Sequence, residues 1–403
     1  MNHQPVYLSE PGMVSALGSG AAAHWAGLCT ALPQQVLQQA DISGITRRFG
    51  LATTPLRDFP ANLPDHYRSR TNHLLWHALA DIEHTIQTAV TRYGAARVAV
   101  VLGTSTAGVD ENIPLFRHVA QGGSWYDKPF LRTPQCMNAA ADFVAAVYGL
   151  QGMRYGVSTA CTSGARALMA AARMLRMGLA DAVICGGVDN LSPLTVHGFA
   201  SLEVLSPDIA RPFSAQRDGI NLGEAAAVFV MTREPDRFGE NIALLGYGAS
   251  SDAHHMSSPD PEGKGAAAAF QTALNHAGLT SDQIGWINAH GTGTPLNDQM
   301  ESRAISAVFG SRTPTTSTKP LTGHTLAAAG ALEAAFAYLA LSRRHNPNGV
   351  LPPHHYDGVS DGNLPEIRLT GAADVWPERR IAASPSFAFG GNNSVLILGE
   401  AFD

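Results

Sequence analysis

Apolar positions along this 403-residue chain fall into two patterns. Some runs are apolar at every position and rich in Val, Ile and Ala, such as Val98-Ala99-Val100-Val101-Leu102 and Ala182-Val183-Ile184-Cys185. Without alternation, such runs predict strands buried on both faces, as in a parallel sheet covered by helices. Between them lie stretches in which apolar side chains recur every three or four residues. Leu74, Leu75, Leu79, Ile82 and Ile86 predict a helix over residues 69–93. Ala-rich stretches predict further helices over 21–28, 138–150, 165–177, 265–277, 297–309 and 326–341, several closed by a glycine such as Gly152, Gly178 or Gly278. Strands are predicted over 6–9, 97–105, 155–159, 182–187, 225–231, 242–247, 284–289, 315–318, 381–385 and 394–398. Residues 38–64 and 208–224 read as polar, irregular segments. Alternating strands and helices of this kind predict an α/β fold with helices on both faces of its sheets.

The pattern also rhymes with itself. A strand, a turn carrying a polar chemical group and an Ala-rich helix occur around Cys161 and again from Lys319 to His324. A buried strand ending in paired glycines occurs at Gly186-Gly187, and paired glycines recur at Gly390-Gly391. We read an internal duplication, with halves over residues 1–240 and 241–403.

Composition narrows the function classes. A hydrophobic share of 45% and a charged share of 15% describe a globular chain with a large core. The formal charge of −6 and the lack of any Lys/Arg run argue against a nucleic-acid surface. Cys29, Cys136, Cys161 and Cys185 show no metal-ligand spacing and no disulfide framework, which fits a reducing cytoplasm. Residues 1–12 lack the basic and apolar regions of a signal peptide, and no apolar run is long enough to span a bilayer.

Three stretches carry candidate chemistry. Cys161 falls at a strand-to-helix turn among Ala160, Ser163 and Gly164. The N–H groups and positive dipole end of the following helix favour a thiolate there, although an inert core cysteine would share these flanks. His290 ends a buried strand and opens His290-Gly291-Thr292-Gly293-Thr294, the strand end where α/β sheets hold ligands. A core histidine bonded to a carbonyl is the alternative. Lys319-Pro320-Leu321-Thr322-Gly323-His324 follows another strand, and a solvated loop lysine would look the same. Asp298 and Glu301 share a helix face at i, i+3 and read either as a cap and surface charge or as carboxylates supporting Lys319 or a histidine. Phe387-Ala388-Phe389-Gly390-Gly391 is glycine-rich but lacks a nucleotide loop's context. The pairs His254-His255 and His354-His355 lack ligand partners and read as surface histidines rather than a metal site.

Taken in order, the Cys turn, His-Gly-Thr-Gly-Thr, Lys-x-x-x-Gly-His and Phe-Gly-Gly resemble the β-ketoacyl-acyl carrier protein synthases, over almost the whole chain. The resemblance implies a thiolase-like fold, with duplicated halves in a five-layered αβαβα sandwich. It implies that Cys161, in the N-terminal half, accepts an acyl chain as a thioester. His290 and His324, in the C-terminal half, would stabilise the malonyl thioester oxygen during decarboxylation. Lys319 would support them, with Asp298 and Glu301 as its charged neighbours. Phe389 would gate the site, its N–H joining that of Cys161 in an oxyanion hole.

Cys136, Met137, His197, Phe199 and Phe387 are candidates for the acyl pocket. Arg68, Arg70, Lys128, Arg132 and Arg211 are candidates for docking acyl carrier protein. No bound cofactor or metal is implied, because the substrates ride on the carrier's phosphopantetheine. A homodimer, or a heterodimer with a related ketosynthase or chain-length-factor subunit, is expected. Departures such as Ile220 for a common aromatic, and Pro320 after the lysine, point from housekeeping elongation toward a specialised pathway, for which the aryl-polyene ketosynthases are one candidate. Two other readings share this superfamily. A non-catalytic chain-length factor would lack Cys161, and a thiolase acting on coenzyme A thioesters would carry a second reactive cysteine where this chain has none after Cys185.

Overall fold

The computed structural model describes residues 5–235, 240–377 and 379–401. The outer ends of the two expected halves, and 236–239 beside their join, lie outside the described residues, as do the first four positions of the segment read for a signal peptide. A mixed sheet runs through the molecule in the spatial order Arg368–Leu369, Pro314–Thr316, Trp286–Asn288, Ile381–Ala388, Asn392–Glu400, Ile242–Ser251, Val6–Leu8, Ala225–Thr232, Ala182–Asp189, Val98–Gly103, Arg154–Val157. Val6–Leu8 joins the two sides, pairing antiparallel with both Ile242–Ser251 and Ala225–Thr232.

Each side repeats one plan. On one, Val98–Gly103 lies parallel to Arg154–Val157 and to Ala182–Asp189, which pairs antiparallel with Ala225–Thr232. On the other, Trp286–Asn288 lies parallel to Pro314–Thr316 and to Ile381–Ala388, which pairs antiparallel with Asn392–Glu400. The duplicated α/β architecture expected of the sequence is therefore present.

Side-chain alternation along the buried strands separates the layers. Val98, Val100 and Leu102 pack outward with Leu74, Leu75, Leu79 and Phe143 of the covering helices. Ala99 and Val101 pack inward with Ala165, Leu168, Ala331 and Phe336. On the other side Val395 and Ile397 face Phe270 and Ile305, whereas Leu396 and Leu398 face the inner core. Two helices fill the middle layer, Ser163–Arg176 and Ala329–Leu341, and all residues of the second are buried. A helix that is apolar around its whole circumference belongs between two sheets, and this one completes the order helix, sheet, helix, sheet, helix.

Four local departures from the sequence expectation have structural causes. The helix expected over 69–93 is two, Arg70–Asp81 and Glu83–Tyr93, broken at Ile82 (φ −112°, ψ 11°), where Asp81 accepts the Met13 N–H of a neighbouring strand. Residues 38–49, expected to be irregular, form a hairpin of Gln38–Ile42 and Ile45–Phe49. Its two-residue turn, Ser43-Gly44, has positive φ at both positions, which matches strand twist. Gly12–Ser15, outside the predicted strands, adds a strand beside Ala225–Thr232. The helix expected from 326 begins as a 3-10 turn, Leu326–Ala328, with Leu326 at φ 56°. Among the described residues no helix is long and apolar enough to cross a membrane.

Candidate active site

Cys161 lies between strand Arg154–Val157 and helix Ser163–Arg176. The turn is locked by its own polar groups. Ser163 N–H and Oγ–H both donate to Ala160 O, Thr162 Oγ1 donates to Thr159 O, and Thr159 N–H donates to Ser163 Oγ. Ala160 takes a left-handed φ of 51°, the sharp bend that turns the thiol away from the sheet.

His290 lies two residues beyond strand Trp286–Asn288, and its backbone is caged by a carboxylate: Glu301 accepts His290 N–H and Gly291 N–H, each at 2.7 Å. His324 follows the one-turn helix Lys319–Thr322. Its backbone is pinned to segment 221–223, donating to Asn221 O and accepting from Gly223 N–H.

These three residues, far apart in sequence, meet. His324 Nε2 lies 2.9 Å from Cys161 Sγ. The His290 and His324 rings stand edge to face, 5.2 Å between centroids. All three line one cavity of about 390 Å3, together with Phe199, Leu202, Val204, Ile220, Phe387 and Phe389.

Lys319 is fully buried and uses its three ammonium protons on three acceptors: Glu333 Oε1 at 2.5 Å, the His290 carbonyl, and His290 Nδ1 at 3.3 Å. An ammonium has no lone pair, so His290 Nδ1 is the acceptor and the ring proton sits on Nε2. His324 Nδ1 is buried without a protein partner. A proton there would be an unpaired buried donor, so it too belongs on Nε2. Both rings therefore carry Nε2–H. Burial, the Lys319 charge and His324 push His290 well below its usual value, and burial and Lys319 do the same to His324, so both are neutral at physiological pH.

The cysteine departs from expectation. Burial pushes its thiol up to about 12, against the pull of Lys319 and despite the helix start two residues away. The His324 imidazole touches the sulfur.

Of the two carboxylates expected to support Lys319 or a histidine, Glu301 holds the His290 backbone and lies within reach of the Lys319 charge, whereas Asp298 accepts Phe213 N–H and Gly293 N–H. The lysine's ion-pair partner is Glu333, which the sequence reading missed. Its signal was a lone acid in an otherwise apolar helix. Burial lifts Glu333 to about 7 and Glu301 to about 8, with Lys319 opposing both shifts.

Phe389, half-exposed at the mouth, stacks on Phe199 (5.6 Å, planes 22° apart). Its turn is moored to the loop opposite, where Gly390 N–H donates to Met256 O, Asp252 N–H to Gly391 O, and Asn393 Nδ2 to Asp252 Oδ1.

Of the pocket candidates, Phe199 and Phe387 line the cavity, whereas Cys136, Met137 and His197 do not. Cys136 and Met137 are exposed beside the edge strand, where Gly156 packs on the Met137 carbonyl. His197 bonds Ser43 O, tying its helix to the 38–49 hairpin. His354, read as a surface histidine, is buried: Nδ1 accepts Ser317 N–H and Nε2–H donates to Pro212 O.

Among the docking candidates, Arg70 is committed to Glu224 (2.5 Å), a buried carboxylate that also accepts Ala52 N–H and Leu191 N–H. Arg68 pairs with Asp65, and Arg211 with Asp218 and Asp357. Lys128 and Arg132 are exposed and have no carboxylate partner among the described residues.

Comparison with known proteins converges on one family. Residues 72–237 match the model of the β-ketoacyl synthase N-terminal domain, and residues 242–354 that of its C-terminal domain. The chain is 31% identical to 3-oxoacyl-[acyl-carrier-protein] synthase 2 of Coxiella burnetii over the full length of both. It is 32% identical to the protein of that name from Vibrio cholerae, over 76% of this chain and 77% of the relative. Among solved structures it resembles the ketosynthase ApeO of Xenorhabdus doucetiae, determined in complex with its chain length factor ApeC. The TM-score is 0.91 at 41% identity, covering 99% of this chain and 98% of that one.

Proposed function

The chain belongs to the β-ketoacyl synthase family, and from that premise we propose how its residues divide the decarboxylative condensation of an acyl thioester with malonyl-acyl carrier protein. It is a condensing β-ketoacyl-acyl carrier protein synthase of fatty-acid or polyketide synthesis. The observation that carries the assignment of roles is the contact of His324 Nε2 with Cys161 Sγ, beside His290, in one largely apolar cavity.

In the first half-reaction Cys161 Sγ attacks the acyl carbon. The thioester bond to the carrier breaks, and the thiol proton leaves with the departing phosphopantetheine sulfur. In the second, the malonyl carboxylate departs as carbon dioxide and its electron pair becomes a thioester enolate. The Nε2–H groups of His290 and His324 donate to the enolate oxygen. Losing one such donor costs on the order of 3 kcal/mol in the barrier. The enolate carbon then attacks the acyl carbon on Cys161. The N–H groups of Cys161 and Phe389 hold the resulting oxyanion until the thiolate leaves. Lys319 acts by fixing the His290 tautomer, and Glu301 and Asp298 by fixing the backbone that presents it. In this reading residues 1–240 supply the nucleophile and residues 241–403 the enolate site.

We assign the chain to a specialised, aryl-polyene-type pathway in the cytoplasm. Its 41% identity to the Xenorhabdus doucetiae ketosynthase, against 31% to the Coxiella burnetii synthase, supports the pathway. The same likeness supports a heterodimer with a chain-length-factor subunit, and a homodimer is the alternative outcome of light scattering on the chain alone and mixed with such a subunit. Lys128 and Arg132 are the docking candidates free of carboxylate partners, and acidic carrier protein is the surface they would meet.

Intact-mass analysis tests the roles. Incubation with acyl carriers should add one acyl group to Cys161. Cys161→Ala should take up none yet still release carbon dioxide from malonyl-carrier. Condensation by that variant would refute the nucleophile assignment.

A further inference from the structure

We propose that Asp189 is a positioning residue for the condensing site. Its carboxylate clamps the segment after strand Val98–Gly103 and the turn after His324 to one point, and so holds His324 against Cys161. The inference rests on the roles assigned above to Cys161 and His324.

Asp189 ends strand Ala182–Asp189 and is fully buried. A buried carboxylate normally has a cation beside it. Among the described residues Asp189 has none within ion-pair distance. Four hydrogen-bond donors replace it. Oδ1 accepts from Thr104 Oγ1 at 2.8 Å and Ser105 N–H at 2.9 Å. Oδ2 accepts from Ser105 Oγ at 2.6 Å and Ala327 N–H at 2.8 Å. Thr104 and Ser105 follow the central strand of one half. Ala327 belongs to the other half, three residues after His324.

The clamped turn is tight and strained. Leu326 is held at φ 56°, a left-handed conformation that a β-carbon disfavours. The Ala327 carbonyl lies directly on the nucleophile's own half: a β-carbon added at Gly164 or Gly187 would meet it at 2.8 or 2.9 Å. The Asp189 bond to Ala327 N–H therefore fixes the height of the turn over the Cys161 helix. His324, anchored upstream at Asn221 and Gly223, is left one arrangement toward the sulfur. Charge adds a second link. The charged groups acting on Cys161 are Lys319 and Glu333 from one half and Asp189 from the other, beside the neutral His324 ring that touches the sulfur. Asp189 opposes ionisation of the thiol and Lys319 favours it.

Asp189→Asn removes the charge at constant size and sets an amide N–H2 against donors that cannot all reorient. Two readouts on the purified full chain decide the matter, both taken on the Cys161 peptide by mass spectrometry so that exposed Cys136 does not enter: acyl loading per Cys161 thiol titratable with iodoacetamide, and the pH profile of that alkylation. Alkylation needs neither carrier nor malonyl group, so its result stands even if the condensing roles fail. That failure would show separately, as no loading of the parent chain.

Loading per titratable thiol should fall at least tenfold, and the alkylation inflection should move to lower pH. Loading within twofold of the parent overturns the proposal, whatever the pH profile does. A fall in loading with an unmoved inflection reduces Asp189 to scaffold and overturns it too. Should Asp189→Asn fail to fold, Thr104→Val keeps the carboxylate and removes one clamp bond. The proposal then requires at least a threefold loss of loading per thiol, and unchanged loading sinks it.

Discussion

At the scale of single residues, the contacts in the candidate site decide which nitrogen carries a proton. Lys319 touches neither Cys161 nor the cavity wall, yet it makes His290 a donor at Nε2. Lys319→Ala should remove that control and leave Glu333 buried without a partner. Breaking a buried pair from one side costs about 3–5 kcal/mol. Changing both partners, Lys319→Met with Glu333→Gln, should cost less than the sum of the single changes by urea melts, and strict additivity would mean that the pair does not couple. A second prediction concerns His354, which burial holds down at about 4. In the unfolded chain it takes a proton below about 6.5, while in the folded chain it stays neutral until about 4. Its stabilising contribution is complete above 6.5 and is lost as pH falls toward 4. His354→Gln should therefore be more costly at pH 7 than at pH 4.5, by about 2–3 kcal/mol at 1.36 kcal/mol per unit. A cost that grows on acidification would reverse the sign and refute the assignment. His354 also shows what one residue's sequence context conceals. Nothing around His354-His355 distinguishes a ring wired between Ser317 and Pro212 from an exposed one, because both partners lie far off along the chain.

At the scale of elements, strands and helices present chemistry only where their ends are held. The end of Val98–Gly103 packs directly on the Cys161 turn: a β-carbon at Gly103 would meet the Ser163 and Gly164 backbone at 2.5 and 2.6 Å. Gly103→Ala should force the turn away from the sheet, costing about 1–3 kcal/mol by overpacking and slowing acyl loading more than it lowers the melting temperature would explain. Loading unchanged in a destabilised Gly103→Ala chain would show that the turn keeps its geometry without this contact. Helix starts give a simpler test. Ser69 accepts Asn72 N–H at the start of Arg70–Asp81, and Ser69→Ala should cost about 1 kcal/mol in a urea melt with little effect on kcat. Apolar periodicity located most elements and mislocated their ends. It ran through Ile82 because spacing carries no record of Asp81 capturing the Met13 N–H. It missed the hairpin at 38–49 because those strands are largely polar and half-exposed, and the few apolar positions that pack, Ala40, Ile42, Ile45 and Phe49, meet partners far along the chain.

At the scale of the whole molecule, two duplicated halves converge on one cavity. The expected docking candidate Arg70 is instead tied by Glu224 into the wall that carries segment 221–223 and hence His324. Arg70→Glu should lower the melting temperature and impair small thioesters and carrier-borne substrates alike. Lys128→Glu with Arg132→Glu should raise KM for carrier-borne acyl groups and leave small thioesters unchanged; equal effects on both would remove these two from the docking surface. By itself the sequence determined the layered α/β class and the duplication, which follow from unbroken apolar runs alternating with helically spaced ones. The thiol, the two imidazoles and the lysine it offered only as candidates, singled out by the resemblance of four motifs in order. Only the tertiary structure decided what those groups are. Glu333 as the lysine's partner, the Nε2–H tautomers and the Asp189 clamp all depend on groups 14 to 163 residues apart sharing one buried space, and local sequence carries no record of partners that far along the chain.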